Sequence, residues 1–328
     1  MARYSFLDLV PVRQDGSVAE ALTHSLELAR HAEQLGFTRY WLAEHHNMDG
    51  IASSATAVLI GHIAGGTSRI RVGSGGIMLP NHVPLVVAEQ FGTLATLYPD
   101  RIDLGLGRAP GTDRATLRAL RRSVQERESD FPEQVAELMA YLGPDDGQLR
   151  VRAVPGTDTR VPVWLLGSSL FSARLAAQRG LPYAFASHFA PAMLHQALAL
   201  YRAEFVPSAQ LAAPQVIIGA PLLLADSDPH AEYLATSAYQ RALALLRGES
   251  LRIAPPVERM AGLWSPAEQH AIGNMYATAL VGGPQRVKQR LDQLLEVTQA
   301  DEIIFTCDFY HQHDRHRACE LVAELLAD

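Results

Sequence analysis

Two hydrophobic rhythms alternate along the chain. Nearly unbroken apolar runs occupy Tyr4–Val12, Arg39–Ala43, Ile70–Leu79, Arg101–Gly107, Val161–Leu166, Tyr183–Ala186, Val216–Ala225 and Glu302–Thr306. Between them, apolar residues recur at helical spacing. In Ser17–Leu35, residues Ala21, Leu22, Leu26, Leu28, Ala29, Ala32 and Leu35 fall near a 3.6-residue period, and Gly36 stops the helix. Ser53–Ala64, Pro84–Tyr98, Pro132–Leu142, Leu170–Arg179, Ala190–Phe205, Pro229–Leu246, Pro266–Tyr276, Pro284–Thr298 and His316–Leu326 read as helices too. Residues 143–160 form a polar excursion with the look of a short hairpin. Residues 108–131 and 247–264 are irregular, and long irregular loops on a compact fold are candidate lids.

Strands that are apolar along their whole length belong to a parallel sheet covered by helices. Eight such strand–helix units in 328 residues predict an α/β fold. Its form is a closed (β/α)8 TIM barrel with loop insertions, in which residues 1–328 make one domain. A doubly wound open sheet also alternates, but the count of eight favours the barrel.

Composition narrows the setting. A chain this long and 48% hydrophobic builds its core without staples. Two cysteines, Cys307 and Cys319, are too few for a disulfide framework, which points to a reducing cytoplasm. The net charge of −7 argues against nucleic acid or an anionic membrane as partner. The N-terminal MARYSFLDLV carries Asp8 within its apolar run and lacks a following cleavage site, so it is a poor signal peptide. No apolar segment approaches the roughly 18 residues needed to span a bilayer.

Barrel chemistry gathers at the C-terminal ends of the strands. Four stretches there carry candidate chemistry. The first is EHH, Glu44 to His46. Side chains alternate along an extended chain, so His45 and His46 point opposite ways and do not readily share a metal. One of them facing the mouth is a candidate proton donor; otherwise both simply close a strand. The second is GSSLFS, Gly167 to Ser172. A helix start offers free N–H groups and the positive end of a dipole. Ser168, Ser169 and Ser172 add hydroxyls, and Gly167 lets backbone approach a ligand. Plain N-capping by Ser168 or Ser169 is the alternative. The third is VGSGGIMLP, where Gly75 and Gly76 sit inside a buried strand. They leave room either for a flat ring or for tight packing. The fourth is GLGRAPGTD, where Arg108 is an anion-binding fork or an ordinary loop arginine.

Taken in order, YSFLDLVPV, WLAEHH, VGSGGIMLPNHVPLVVAEQFGTL, RIDLGLGRAPGTD, VWLLGSS, ALVGGPQRVKQRL and ADEIIF resemble the bacterial luciferase-like flavin monooxygenases, in particular the group 1 luciferase-like oxidoreductases. The resemblance covers most of the chain. It implies FMN as cofactor, used reduced and supplied by a separate flavin reductase. Reaction with O2 then gives a C4a-peroxide that oxygenates a small organic substrate. By position, His45 matches the family's active-site histidine. Gly75–Gly76 matches a non-prolyl cis peptide beside the flavin ring. Arg108 matches the flavin-phosphate arginine, and Ser168, Ser169 and Ser172 match the phosphate seat, where the luciferase α chain has a Glu in place of Ser168. No metal is implied. A minority of the superfamily uses F420, so an F420-dependent oxidoreductase is the alternative enzyme, and a non-catalytic flavin-binding protein the alternative of another class. Relatives commonly form homodimers, and the apolar stretches Ser53–Ala64 and Pro84–Tyr98 suit such an interface.

Overall fold

The structure is a computed structural model that describes residues 2–109, 114–120, 130–147 and 149–327. Its strands are β1 (Arg3–Asp8), β2 (Arg39–Leu42), β3 (Arg71–Met78), β4 (Ile102–Gly107), β5 (Val163–Gly167), β6 (Tyr183–Phe185), β7 (Val216–Leu224), β8 (Leu280–Gly282) and β9 (Glu302–Thr306). The helices are α1 (Val18–Gln34), α2 (Thr56–Gly66), α3 (Pro84–Leu97), α4 (Arg114–Ala119), α5 (Phe131–Leu142), α6 (Leu170–Arg179), α7 (Leu194–Ala203), α8 (Asp228–Arg247), α9 (Pro266–Met275), α10 (Pro284–Thr298) and α11 (Gln312–Ala327).

All strand pairings between these elements are parallel. The order β6-β5-β4-β3-β2-β1-β9-β7, closed by the β6–β7 pairing, makes an eight-stranded barrel. The predicted (β/α)8 barrel is therefore present. One strand was not foreseen: β8 pairs only with the far end of β7, Leu222–Leu224, and extends that strand outside the barrel. The expected hairpin in 143–160 is absent among the described residues, which instead form turns around a bridge between Gly156 and Asp158.

Local sequence explains the element ends. Ser17 and Glu20 form a capping box that starts α1, with Glu20 N–H donating to Ser17 Oγ at 3.2 Å and Ser17 N–H to Glu20 Oε2 at 2.7 Å. Ala21, Ser25, Leu28, Ala29 and Ala32 form its buried stripe. The first strand ends at Asp8 rather than running to Val12. Val10 takes a left-handed φ of +53°, which no continuing strand allows, and Asp8 Oδ1 accepts its N–H at 3.1 Å.

The barrel interior is filled mainly from β1, β2, β5, β6, β7 and β9. Leu7, Trp41, Ala43, Trp164, Ala184, Ile217 and Ile304 form one buried cluster. Trp41 and Trp164 meet edge to face at 5.5 Å. Trp41 fills the space beside Gly75 of β3, where a Cβ would come 3.2 Å from its ring, and Leu166 of β5 fills that beside Gly105 of β4, where a Cβ would come 2.8 Å from its Cδ1. At the N-terminal end of the barrel the packing is ionic. Arg39 Nε donates to Glu302 Oε1 at 2.8 Å and its Nη1 to Asp103 Oδ2 at 2.7 Å. Arg71 Nη2 reaches Asp103 Oδ1 at 2.6 Å, and Ser5 Oγ donates to Glu302. Arg39, Asp103 and Glu302 are all buried. Among the described residues, no helix is long and apolar enough to cross a membrane.

Candidate active site

At the opposite, C-terminal end, three of the predicted stretches and the described part of the fourth, up to residue 109, line the rim. The peptide bond between Gly75 and Gly76 is cis, and the β3–β4 register slips between Ser74 and Ile77 around it. A Cβ on Gly75 would meet Leu7 Cδ1 at 2.6 Å, and one on Gly76 would meet the Gly105 carbonyl oxygen at 2.7 Å. Packing within the barrel wall thus accounts for both glycines without a ligand. Gly75 nevertheless stays partly exposed.

Next to this wall lies the start of α6. Ser169 is its N-cap, with extended backbone (φ −131°, ψ 162°), yet its side chain makes no capping hydrogen bond. Plain N-capping is therefore not how this serine is used. Ser168 and Ser169 are partly exposed, Ser172 is buried, and the first turn holds no acidic residue. Gly167 serves its own helix: a Cβ there would fall 2.2 Å from Ser172 Oγ. Arg108, just past β4, stacks its guanidinium on Phe171 in the first turn of α6, 4.3 Å from the ring centroid. Arg108 and the serine-lined helix start thus converge from two strands. A fixed positive charge, partly exposed serines and a helix whose first turn holds no carboxylate fit a phosphate group.

On the other side of the rim, the chain after β2 separates its two histidines. Ala43 belongs to the interior cluster. Glu44 turns outward, where Oε2 accepts the Met78 N–H at 3.1 Å and Oε1 pairs with His46 Nε2 at 2.8 Å. By alternation His45 takes the inner side, with its backbone N–H donating to the Ser53 carbonyl at 3.0 Å.

A second histidine on this inner side was not singled out in the sequence, although SHFAP ends strand six of the barrel. His188 lies three residues beyond β6 and packs against Gly219 of β7, where a Cβ would come 2.1 Å from its Nδ1. That nitrogen is sealed from solvent without a hydrogen-bond partner. Burial pushes the ring's pKa down to about 4, helped by the nearby His45, and Asp308 only partly offsets this. Asp308 in turn pairs with Arg241 at 2.6 Å.

The sign of the pH effect follows. The unfolded ring binds a proton near 6.5, the folded ring only near 4, so the unfolded chain is favoured as pH falls through that window. Acidification from 6.5 to 4 is expected to cost up to about 3 kcal/mol through this ring. His188→Gln is expected to remove that part of the slope in urea unfolding followed against pH. An unchanged slope would count against a neutral buried ring.

The two candidate lids fare differently. Most of 108–131 lies outside the described residues. The 247–264 segment is docked: Gln14 N–H donates to the Ile253 carbonyl at 2.9 Å, Ile253 N–H to the Val12 carbonyl at 2.9 Å, and Leu251 N–H to Asp49 Oδ1 at 3.0 Å. It closes one flank of the rim. A groove of about 800 Å³ between α8 and α11, lined by His230, Tyr233, Tyr310, His311 and His313, contains none of the predicted site residues.

Comparison with known proteins agrees with this fold. The luciferase-like monooxygenase family model matches residues 3–302. The uncharacterized protein YvbT of Bacillus subtilis is 56% identical over 323 residues, covering 98% of this chain and 96% of that one. A luciferase-like monooxygenase of Escherichia coli K12 is 52% identical over 322 residues, covering 98% and 96%. The crystal structure of apo-MsnO8 superposes with a TM-score of 0.92 at 36% identity, covering 100% and 99%. More distant structures share the fold alone. They include an oxygenating constituent of 3,6-diketocamphane monooxygenase from Pseudomonas putida in complex with FMN (16% identity, TM-score 0.76) and an F420-dependent secondary alcohol dehydrogenase (15%, 0.72). With the barrel, the cis Gly75–Gly76 wall and the match along nearly its whole length, the chain belongs to the luciferase-like monooxygenase family.

Proposed function

We propose that this member of the family is an FMN-dependent monooxygenase that takes reduced FMN from a separate reductase and oxygenates a small organic substrate. The observation that carries the reading is the meeting of Arg108 with a helix start whose N-cap hydroxyl is unused. Arg108, Ser168, Ser169 and the first N–H groups of α6 would hold the phosphate, and the wall at Gly75–Gly76 would support the ring system. Reduced FMN, when bound, supplies the electrons that activate O2. The chain does the rest. Trp41 and Trp164 close the barrel below the rim, and the docked 247–264 segment shields one flank, so water is kept from the mouth. His45 holds or passes a proton on the inner side of the rim. The two cysteines are free and buried, which fits a reducing cytoplasm as its location.

The test is an anaerobic titration of the chain with FMN kept reduced by a reductase and NADH, followed by admission of O2. Saturable binding that prefers reduced FMN to reduced riboflavin is expected, then O2 uptake. Undetectable binding, or turnover of reduced F420 without O2 uptake, would overturn the reading. His45→Gln is expected to keep reduced-FMN affinity within about twofold, since the anchoring energy lies at the phosphate. It should change the pH profile of O2 uptake.

Exposed apolar side chains on α2 and α3 support a homodimer as well. Val58 on α2 and Leu97 at the end of α3 are 72% and 63% exposed, and Val83 and Val86 at the start of α3 are exposed too. Apolar side chains so exposed on adjacent helices fit burial against a second copy. Light scattering should read a dimer, and Val58→Arg with Val86→Arg should read a monomer; a monomeric wild type would end the idea.

A further inference from the structure

The outward side of the chain after β2 holds a separate constellation. Glu44 Oε1 lies 2.8 Å from His46 Nε2 and 2.8 Å from His82 Nε2. One ligand atom from each of the three residues lies within 4.8 Å of the others, and no other such group of histidine, cysteine and acidic residues occurs among the described residues. Glu44 and His46 stand two apart in the chain just past β2, and their contact brings the two side chains together. That is the spacing the adjacent His45–His46 pair lacks. The third residue arrives from elsewhere: His82 follows the turn Leu79–Asn81 after β3, with its N–H donating to the Leu79 carbonyl at 2.9 Å.

The scaffold is fixed. The Ala43 carbonyl accepts from Ser53 Oγ and from Thr56 Oγ1 at 2.9 Å, and Met78 N–H holds the far oxygen of Glu44. Glu44 is 1% exposed, whereas His46 and His82 are 19% and 32% exposed. Two imidazoles and one carboxylate are the protein ligands of His2Glu zinc sites and of other borderline divalent cations. Bonds of about 2.1 Å in a tetrahedral site place ligand atoms roughly 3.4 Å apart. The two nitrogens need move from the carboxylate oxygen by only about half an ångström, with the cation taking the place of the bridging protons.

We propose that Glu44, His46 and His82 form a binding site for one borderline divalent transition-metal cation, such as Zn2+ or Co2+, on the outer side of the barrel wall and apart from the flavin seat. This assignment does not rest on the flavin reading. It is tested on the full, untagged chain without flavin, by Co2+ titration followed in visible absorption and by Zn2+ titration calorimetry. One equivalent of Co2+ with ligand-field bands is expected. His82→Ala, at a partly exposed position, and Glu44→Gln, which keeps the side-chain shape, should each weaken binding at least about tenfold, with unchanged far-UV circular dichroism. A His311→Ala/His313→Ala double variant, which removes a stacked pair in the groove beside α11, should bind as the wild type does. No binding by the wild type, unaltered binding by His82→Ala, or loss in the His311/His313 variant would each overturn the assignment.

Discussion

Replacing Arg39 with methionine is expected to lower the stability of the chain by about 3–5 kcal/mol in urea unfolding. Arg39 is the cation between two fully buried carboxylates, Asp103 and Glu302. Burial alone would lower the pKa of the guanidinium, but Asp103 and Glu302 outweigh this and raise it. Methionine fills much of the same volume, so the loss measures charge and not a cavity. Asp103 would keep Arg71 and the Trp41 indole N–H at 3.2 Å, while Glu302 would keep only Ser5 and a looser contact with Arg3 at 3.6 Å. Two acidic groups would then stand in the barrel floor with one strong cationic partner between them. The control is Arg174→Ala, which breaks a pair with Glu204 whose members are 52% and 39% exposed. Solvent screens such a pair, and its loss should cost under about 1 kcal/mol. Equal costs for the two variants would show that the floor network is not a buried ionic one.

That network marks where sequence reading stops. Arg39, Arg71 and Glu302 each begin a strand, and a charged residue at the start of an apolar run looks like a boundary with solvent. Only closure of the barrel turns these positions inward onto one another. The strands themselves were legible because both faces are buried, so runs such as Val216–Leu224 carry no polar alternation to confuse them. β8 escaped because its three residues, Leu280–Gly282, gain their partner only from β7. At the rim, the resemblance implied a cis bond at Gly75–Gly76 and the structure has one there. Residues alone could not separate ring support from packing, and the contacts of Leu7 and Gly105 now favour packing as the reason for glycine. His188 and His82 were missed for a shared reason. Each is a lone histidine in its own loop and acquires neighbours only from another strand: Gly219 and Asp308 for His188, Glu44 for His82.

Arg108→Ala is expected to weaken binding of reduced FMN about 10–100-fold while leaving reduced riboflavin affinity nearly unchanged. A charge-assisted hydrogen bond contributes about 1.5–3 kcal/mol, which is that range in affinity. The selectivity for FMN follows from where Arg108 sits. Its guanidinium is stacked on Phe171, which presents the fork at the first turn of α6, and riboflavin has no phosphate to meet it. Ser168→Ala with Ser169→Ala should act in the same direction but less, about tenfold, because neutral hydroxyls give weaker bonds and the backbone N–H groups of α6 remain. Ser172→Ala should do little to binding: Ser172 is buried beneath Gly167, and its role is packing at the strand–helix junction. The ranking Arg108 over the serine pair over Ser172 is the useful part. A general loosening of the rim would weaken FMN and riboflavin alike, whereas a phosphate seat must weaken FMN alone. Anaerobic titrations of both reduced flavins against the three variants separate these outcomes. Parallel losses for the two ligands would remove the anchor on which the FMN reading stands.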